Sequence, residues 1–347
     1  MSASTDMRAW VLTRHGDSPD TFELRSLPTP KPGPGQVRVK VLRFGLNFAD
    51  VMAMLGLYRD CPPLPAVLGY DVAGVIDELG PDVDDWKLGD RVFGLSRFGG
   101  YAEYAITEAG AITKLPDSLT LEVGVALATQ GVTAQYMANY IQPLRQGEHV
   151  LIHAAAGGVG TLMVQVALHA GCIIYGTAGS PEKIKYLRKM GVHYPINYRE
   201  EDFFQVISQD GDLQPLDAVF DPIGGKSVKL GMKLLKPGGR MVTFGGSSFI
   251  GKGNIVTKMA NFLASGFYHP LVLTGGSRSV IGVNMLRLAD HKPEVLGQLM
   301  AQTAELASRK VFRPEIFSVV PANQFKESLA MLQNRATIGK LVVSWES

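Results

Sequence analysis

The chain has 347 residues, 46% of them hydrophobic and 19% charged, with a formal net charge of +2. That length allows two domains with substantial cores, and the composition is that of an ordinary soluble protein. Near-neutral charge and the lack of a Lys/Arg-rich block exclude a polyanion such as nucleic acid as an expected partner.

No apolar run reaches the roughly 18 residues that span a bilayer. Residues Met1–Met7 lack the basic and apolar regions of a signal peptide. The two cysteines, Cys61 and Cys172, fall in different expected domains. A disulfide is therefore not expected, and a reducing cytoplasm is the expected compartment. Two cysteines also exclude a four-cysteine structural zinc.

In chain order, Met7–Thr13 and Phe22–Leu27 read as short strands. The Pro/Gly-rich stretch Pro28–Gly35 is neither helix nor central strand and serves as a connector. Val37, Val39 and Val41 alternate on one face of a half-buried strand that runs to Phe44. A short helix is expected from Gly45–Asp50 through Met54, then a loop over Gly56–Pro65. Leu68–Ile76, Lys87–Gly94 and Tyr101–Thr107 add further β structure.

Near Leu121 the pattern changes. Leu121–Ala128 and Val132–Tyr140 read as helices. From Val150 strands and helices alternate: strands at Ile173–Thr177, Asp217–Asp221 and Arg240–Phe244, helices at Pro181–Met190 and Ser227–Leu235. That alternation implies a parallel sheet with helices on both faces. The remainder includes a helix near Lys292–Arg309, a strand at Phe317–Val320, a helix at Ala322–Gln333 and a strand at Lys340–Ser344.

Within the alternating region, the apolar run Val150–Ile152 passes through His153, three alanines and Gly157-Gly158-Val159-Gly160 into a helical pattern. Strand, glycine turn and helix N-terminus form a receiver for a dinucleotide pyrophosphate, because unpaired N–H groups and the helix dipole meet there. Alone, such a turn also fits a tight corner without a ligand. The βαβ alternation after it supplies the context a dinucleotide site requires. The end of the second strand reads Gly176-Thr177-Ala178-Gly179-Ser180, without the acid that usually binds a ribose 2′-hydroxyl about 20 residues after the turn. Ser180 as helix cap, the helix N–H groups and Lys183 suit a 2′-phosphate instead.

Several stretches in fixed order carry a family resemblance: Gly45–Asp50, Gly69–Gly74, Gly89–Val92, the glycine turn, Ile196–Tyr198, Asp221–Gly225, Lys236–Arg240 and Gly339-Lys340. Together they resemble the medium-chain dehydrogenase/reductase superfamily, in its zinc-free quinone oxidoreductase branch, nearest to the vesicle amine transport protein homologues. The resemblance implies an α/β protein with a GroES-like β-rich domain, 1–126 and 271–347, and a Rossmann doubly wound parallel-sheet domain, 127–270. Zinc members carry a cysteine ligand near the place of Asn47 and Gly-His-Glu where this chain has Gly69-Tyr70-Asp71. Neither Asn nor Tyr is a usual zinc ligand, so no metal is expected.

The resemblance implies NADPH as cofactor, with Ala156, Gly157, Gly158 and Val159 in the turn and Ser180, Lys183 and Tyr198 around the 2′-phosphate. Asn47 and Tyr58 would lie near the nicotinamide as catalytic residues. Thr133, Phe244, Gly245 and Lys340 would approach the cofactor. His153 reads as a buried structural residue, Asp50 as a helix cap that could pair with Asp71, and Arg91 as a turn residue in an ion pair. The expected reaction is direct hydride transfer to a small-molecule quinone or α,β-unsaturated carbonyl. A 2-enoyl-thioester or enone reductase with Tyr58 as proton donor is the alternative. A nucleotide-binding scaffold, or a membrane-associated protein with little catalysis, is another. A homodimer joined at Ser279–Val283 would cover an unpaired sheet edge. Asn254–Leu263 is the one apolar surface-helix candidate.

Overall fold

The structure is a computed structural model that describes residues 6–208, 216–249 and 263–346. The chain divides into two units, Met1–Thr133 with Met285–Ser347, and Ala134–Asn284. Both boundaries differ from the expected 126/127 and 270/271. The second moves because the strand at Ser279–Gly282 hydrogen-bonds into the parallel sheet and so belongs to the second unit.

In the first unit, β1 (Asp6–Leu12) pairs antiparallel with β2 (Phe22–Pro28) and with β4 (Ala66–Val67). The organising strand is β3 (Gln36–Gly45), where Val37, Val39 and Val41 are all buried as the alternation predicts. It is followed by helix α1 (Phe48–Met54). Strand β5 (Asp71–Leu79) pairs with β3 and with β6 (Arg91–Leu95), while β7 (Tyr104–Glu108) lies on β3 and β8 (Ile112–Lys114) on β6. β5 starts at Asp71 rather than at Leu68, because Gly69 takes a left-handed conformation (φ 92°) against the Tyr101 ring.

The two helices expected at Leu121–Ala128 and Val132–Tyr140 form one helical run. α2 (Leu121–Ala126) widens into a π turn over Leu127–Gly131, and α3 (Val132–Gln135) into another over Tyr136–Ile141. Wide turns of this kind release backbone groups from the helical ladder and cluster at functional sites.

The second unit is a six-stranded sheet, paired in parallel throughout. Its strands are β9 (His149–Ile152), β10 (Ile173–Ala178), β11 (Tyr194–Asn197), β12 (Leu216–Asp221), β13 (Leu235–Thr243) and β14 (Ser279–Gly282), in spatial order β11-β10-β9-β12-β13-β14. The order reverses at β9, the switch point at which ligands bind outside the carboxyl ends of such sheets. Helices α4 (Gly158–His169), α5 (Pro181–Met190), α6 (Phe203–Ser208) and α7 (Lys226–Leu234) alternate with the strands. Ser180 caps α5 and a left-handed Gly191 closes it. β13 begins at Leu235, so the expected Lys236–Gly239 turn is absorbed into an irregular strand. The apolar stretch expected at Asn254–Leu263 lies, but for Leu263, outside the described residues.

The chain then returns to the first unit with the helix Pro293–Ser308, β15 (Ile316–Pro321), the helix Phe325–Gln333 and β16 (Lys340–Ser344). β16 pairs parallel with β15 and antiparallel with the end of β3. Phe325 fills the core, edge-on to Tyr101 at 5.0 Å and stacked on Trp10 at 4.9 Å. Each such ring removes enough apolar surface from water to stabilise the unit by roughly 1.5–3 kcal/mol.

Candidate functional site

Each unit carries its own group of candidate residues. In the second unit, β9 ends at Ile152 and the chain turns through Ala154, at φ 52°, into α4. Gly157 caps α4 with extended backbone, and its N–H donates to the Ala154 carbonyl at 2.9 Å. Gly160 has no alternative, since a Cβ there would collide with that carbonyl. The first N–H groups of α4, at Gly158 and Val159, have no partner within the helix by its geometry and form an anion receiver. Ala156 precedes them, buried.

At the carboxyl end of β10, Ala178 pairs in register with Asn197, which sets Tyr198 beside Gly179. The Tyr198 N–H donates to the Ala178 carbonyl at 3.1 Å, and its hydroxyl lies against the Gly179 backbone where a Cβ would stand. The Ser180 hydroxyl accepts the Lys183 N–H at 3.4 Å. Ser180, the Lys183 backbone and Tyr198 thus meet at one strand end; Ala178-Gly179-Ser180 holds no carboxylate, and the Glu182 carboxylate in the first turn of α5 is hydrogen-bonded by Ser180. That donor set fits a phosphate better than a ribose hydroxyl pair. Phe244 and Gly245 follow β13 at the same edge of the sheet, with the Phe244 N–H on the Asp221 carbonyl at 3.1 Å. His153 is buried, with Nδ1 3.0 Å from the Thr177 hydroxyl. Burial pushes its pKa down, against the pull of Asp221.

In the first unit, strand register brings distant residues together. Gly45, at the end of β3, is paired with Asp71 of β5 on one side and Val342 of β16 on the other. Asn47 follows Gly45 by two residues, and Lys340 opens β16. The Lys340 ammonium, fully enclosed, bonds the Asp71 carboxylate and donates to Asn47 Oδ1 at 2.8 Å. Asn47 Nδ2 donates to Asp71 at 2.7 Å. The π turn frees the Thr129 N–H to donate to Asp71 at 2.9 Å, and the Thr129 hydroxyl joins the same oxygen. The Thr133 hydroxyl donates back to the Thr129 carbonyl at 2.6 Å.

Asp50 caps α1, accepting the Asn47 N–H at 2.7 Å. Its other oxygen faces the Tyr101 hydroxyl without a well-formed hydrogen bond. Burial pushes the Asp50 carboxyl up to about 7; Tyr101, the Asn47 N–H and Lys340 oppose the rise, and Asp71 adds to it. Tyr58, half-buried, meets Tyr70 edge-on at 6.4 Å. Burial raises its pKa, with Tyr70 pulling the other way. Arg91 pairs with Asp117 at 3.3 Å on the surface.

The resemblance set Lys340 toward the cofactor, but its ammonium is engaged by Asp71 and Asn47 and has no exposure. The cause is Gly45, whose missing Cβ leaves the space that the Lys340 stem crosses. Thr129 and Tyr101 escape a sequence reading altogether. The widened helical turn brings Thr129 to Asp71, while Tyr101, tied by backbone hydrogen bonds to Trp10 and Leu68, is brought to Asp50.

The fold agrees with what known proteins show. The zinc-binding dehydrogenase family matches residues 158–305, and the alcohol dehydrogenase GroES-like domain matches residues 33–117. The synaptic vesicle membrane protein VAT-1 homolog of Rattus norvegicus is 34% identical over 344 residues, which cover 97% of this chain and 84% of that protein. A 2-haloacrylate reductase of a Burkholderia species is 36% identical, with 69% of this chain and 73% of the relative covered. Among solved structures, the human VAT-1 homolog-like protein superposes with a TM-score of 0.85 at 26% identity, covering 99% of each chain. The Escherichia coli quinone oxidoreductase complexed with NADPH gives 0.84 at 27% identity, covering 97% of this chain and 99% of that one.

The chain belongs to the medium-chain dehydrogenase/reductase superfamily of oxidoreductases. Within it, the chain stands close to the VAT-1 homologues and the quinone oxidoreductases. A zinc ion, which the name of the matched family suggests, does not fit the residues at the positions in question. Asn47 and Tyr70 are poor zinc ligands, and Asp71 is neutralised by Lys340. Among the described residues no group of three or more His, Cys, Asp or Glu side chains is placed to hold a metal ion, and no helix is long and apolar enough to cross a membrane.

Proposed function

We propose that the protein is a zinc-independent, NADPH-dependent oxidoreductase that reduces quinones or related α,β-unsaturated carbonyls by direct hydride transfer. NADPH, when bound, supplies the hydride from its nicotinamide ring. The α4 N-terminus at Gly157, Gly158 and Val159 receives the pyrophosphate. Ser180, Lys183 and Tyr198 take the 2′-phosphate. Asn47 and Tyr58 donate hydrogen bonds to the acceptor's carbonyl oxygen and orient it.

The observation that carries the acceptor class is the chemistry of this donor set: an amide and a phenol, both neutral, with the one nearby ammonium already paired. A quinone tolerates that, because its reduced form is a stabilised phenolate that water protonates. An enone or enoyl thioester needs a proton delivered to carbon. The likeness to a 2-haloacrylate reductase favours this second reading, with the Tyr58 phenol as the donor; burial raises the pKa of that phenol, which keeps it protonated but makes it a weaker acid. A homodimer through the β14 edges and a cytoplasmic location accompany both readings.

NADPH consumption by the pure protein, followed with phenanthrenequinone, 1,4-naphthoquinone and a crotonyl thioester in turn, tests the proposal. Turnover with the quinones alone supports the first reading. Turnover with the thioester, abolished by Tyr58→Phe, supports the second. Tight NADPH binding with no turnover on any acceptor refutes both in favour of a nucleotide-binding scaffold.

A further inference from the structure

The Asn47 side chain is held between opposite charges. Its Oδ1 takes a proton from Lys340 at 2.8 Å, and its Nδ2 gives one to Asp71 at 2.7 Å. An ammonium only donates and a carboxylate only accepts. Rotating the amide by half a turn would set NH₂ against NH₃⁺ and oxygen against carboxylate. One amide orientation is therefore enforced by electrostatics.

The ion pair itself is closed. Lys340 bonds Asp71 directly, both side chains are without exposure, and the second Asp71 oxygen is occupied by the Thr129 N–H and hydroxyl. Such a pair is seldom kept for stability, since apolar residues of similar volume often serve as well or better. Its other product here is a fixed Asn47, with one of the two Nδ2 protons not engaged by any described residue.

We propose that Lys340 and Asp71 are positioning residues that lock the Asn47 amide, presenting its second N–H to the acceptor's carbonyl oxygen, and that Lys340 takes no part in cofactor binding. The proposal rests on the reading of Asn47 as the acceptor-orienting residue. As the hydride arrives, negative charge grows on that oxygen. A donor already aligned there need not reorganise, which is the condition under which one hydrogen bond accelerates a reaction most. Lys340 also polarises the amide through its oxygen, strengthening the free N–H as a donor.

The test compares the double variant Lys340→Met/Asp71→Asn, which keeps side-chain size and removes both charges together, with Asn47→Ala and with the triple variant. NADPH affinity is read by fluorescence titration and turnover with 1,4-naphthoquinone. The double variant is expected to bind NADPH within about 2-fold of the unmodified protein and to lose roughly 10-fold or more in kcat. The triple variant is expected to be no slower than Asn47→Ala, because the pair acts only through Asn47. Weakened NADPH binding with kcat retained, or losses that multiply in the triple variant, overturns the proposal. If the double variant does not fold, Gly45→Ala takes its place, displacing the Lys340 stem while keeping both charges, with the same expected split.

A protein with no turnover on any acceptor removes the functional reading but leaves this one readable. In protein labelled with ¹⁵N at asparagine, the Asn47 side-chain protons are expected to exchange slowly with solvent, and quickly in the double variant. Equal exchange in both refutes the lock.

Discussion

Asp50 lends itself to a thermodynamic test. Its carboxyl is fully enclosed, and burial lifts it from an ordinary 3.8 to about 7. Asp71, its neighbour, has Lys340 as a direct counter-ion; Asp50 has none in contact. A carboxyl raised in the folded state binds its proton more tightly there than in the unfolded chain. Its contribution to stability is complete below the unfolded value and is lost as pH rises through the folded one. A tenfold change in proton affinity is worth about 1.4 kcal/mol, so the rise of the Asp50 carboxyl corresponds to about 4 kcal/mol, lost between roughly pH 4 and pH 7.

Asp50→Asn keeps an oxygen for the Asn47 N–H and does not titrate. The variant should therefore gain about 4 kcal/mol on the unmodified protein as pH rises from about 4 to 8. Urea unfolding followed by tryptophan fluorescence measures this within one unit, because all three tryptophans, Trp10, Trp86 and Trp345, belong to the first. Stability curves that run parallel across that range would falsify the charge assignment.

Four other outcomes are expected. Gly45→Ala sets a Cβ against the Lys340 stem and within 2.7 Å of Val125, so the first unit should lose about 1–3 kcal/mol in the same urea assay. Gly160→Ala drives a Cβ into the Ala154 carbonyl, which is backbone and cannot rotate away; calorimetry should show lower thermal stability and NADPH titration an affinity at least about tenfold weaker. Lys183→Ala should cut the preference for NADPH over NADH by about 10-fold or more, the worth of one charge-assisted hydrogen bond, while leaving NADH binding nearly unchanged; an unchanged ratio contradicts the 2′-phosphate assignment. Val280→Lys, on the half-exposed edge strand β14, should halve the mass seen by solution scattering if that edge joins two copies.

The readable parts of the fold are those whose cause is local. The alternation of Val37, Val39 and Val41 marks a face of β3, and Ser180 with Gly191 marks both ends of α5. The glycine turn is legible because backbone, helix dipole and missing side chains all lie within a dozen residues. The group around Asp71 is not legible in that way. Its members come from α1's cap, the start of β5, a widened helical turn and the start of β16. No periodicity records which strand lies beside which, so Lys340 is expected to approach the cofactor, and only the pairing of β3 with β16 shows it enclosed beside Asp71. The two helices expected around residues 121–140 merge for a related reason. Their apolar spacing is continuous, and the π turns are bent to tertiary contacts such as Thr129 with Asp71.

The Lys340–Asp71 contact joins residues 269 apart in the chain. Closing so long a loop is among the slow, entropically costly steps of folding. Until β16 docks beside β3, the Asp71 carboxylate lacks its counter-ion and the Asn47 amide is held from the Asp71 side alone. Completion of this group therefore waits on a pairing between distant parts of the chain, β16 beside β3.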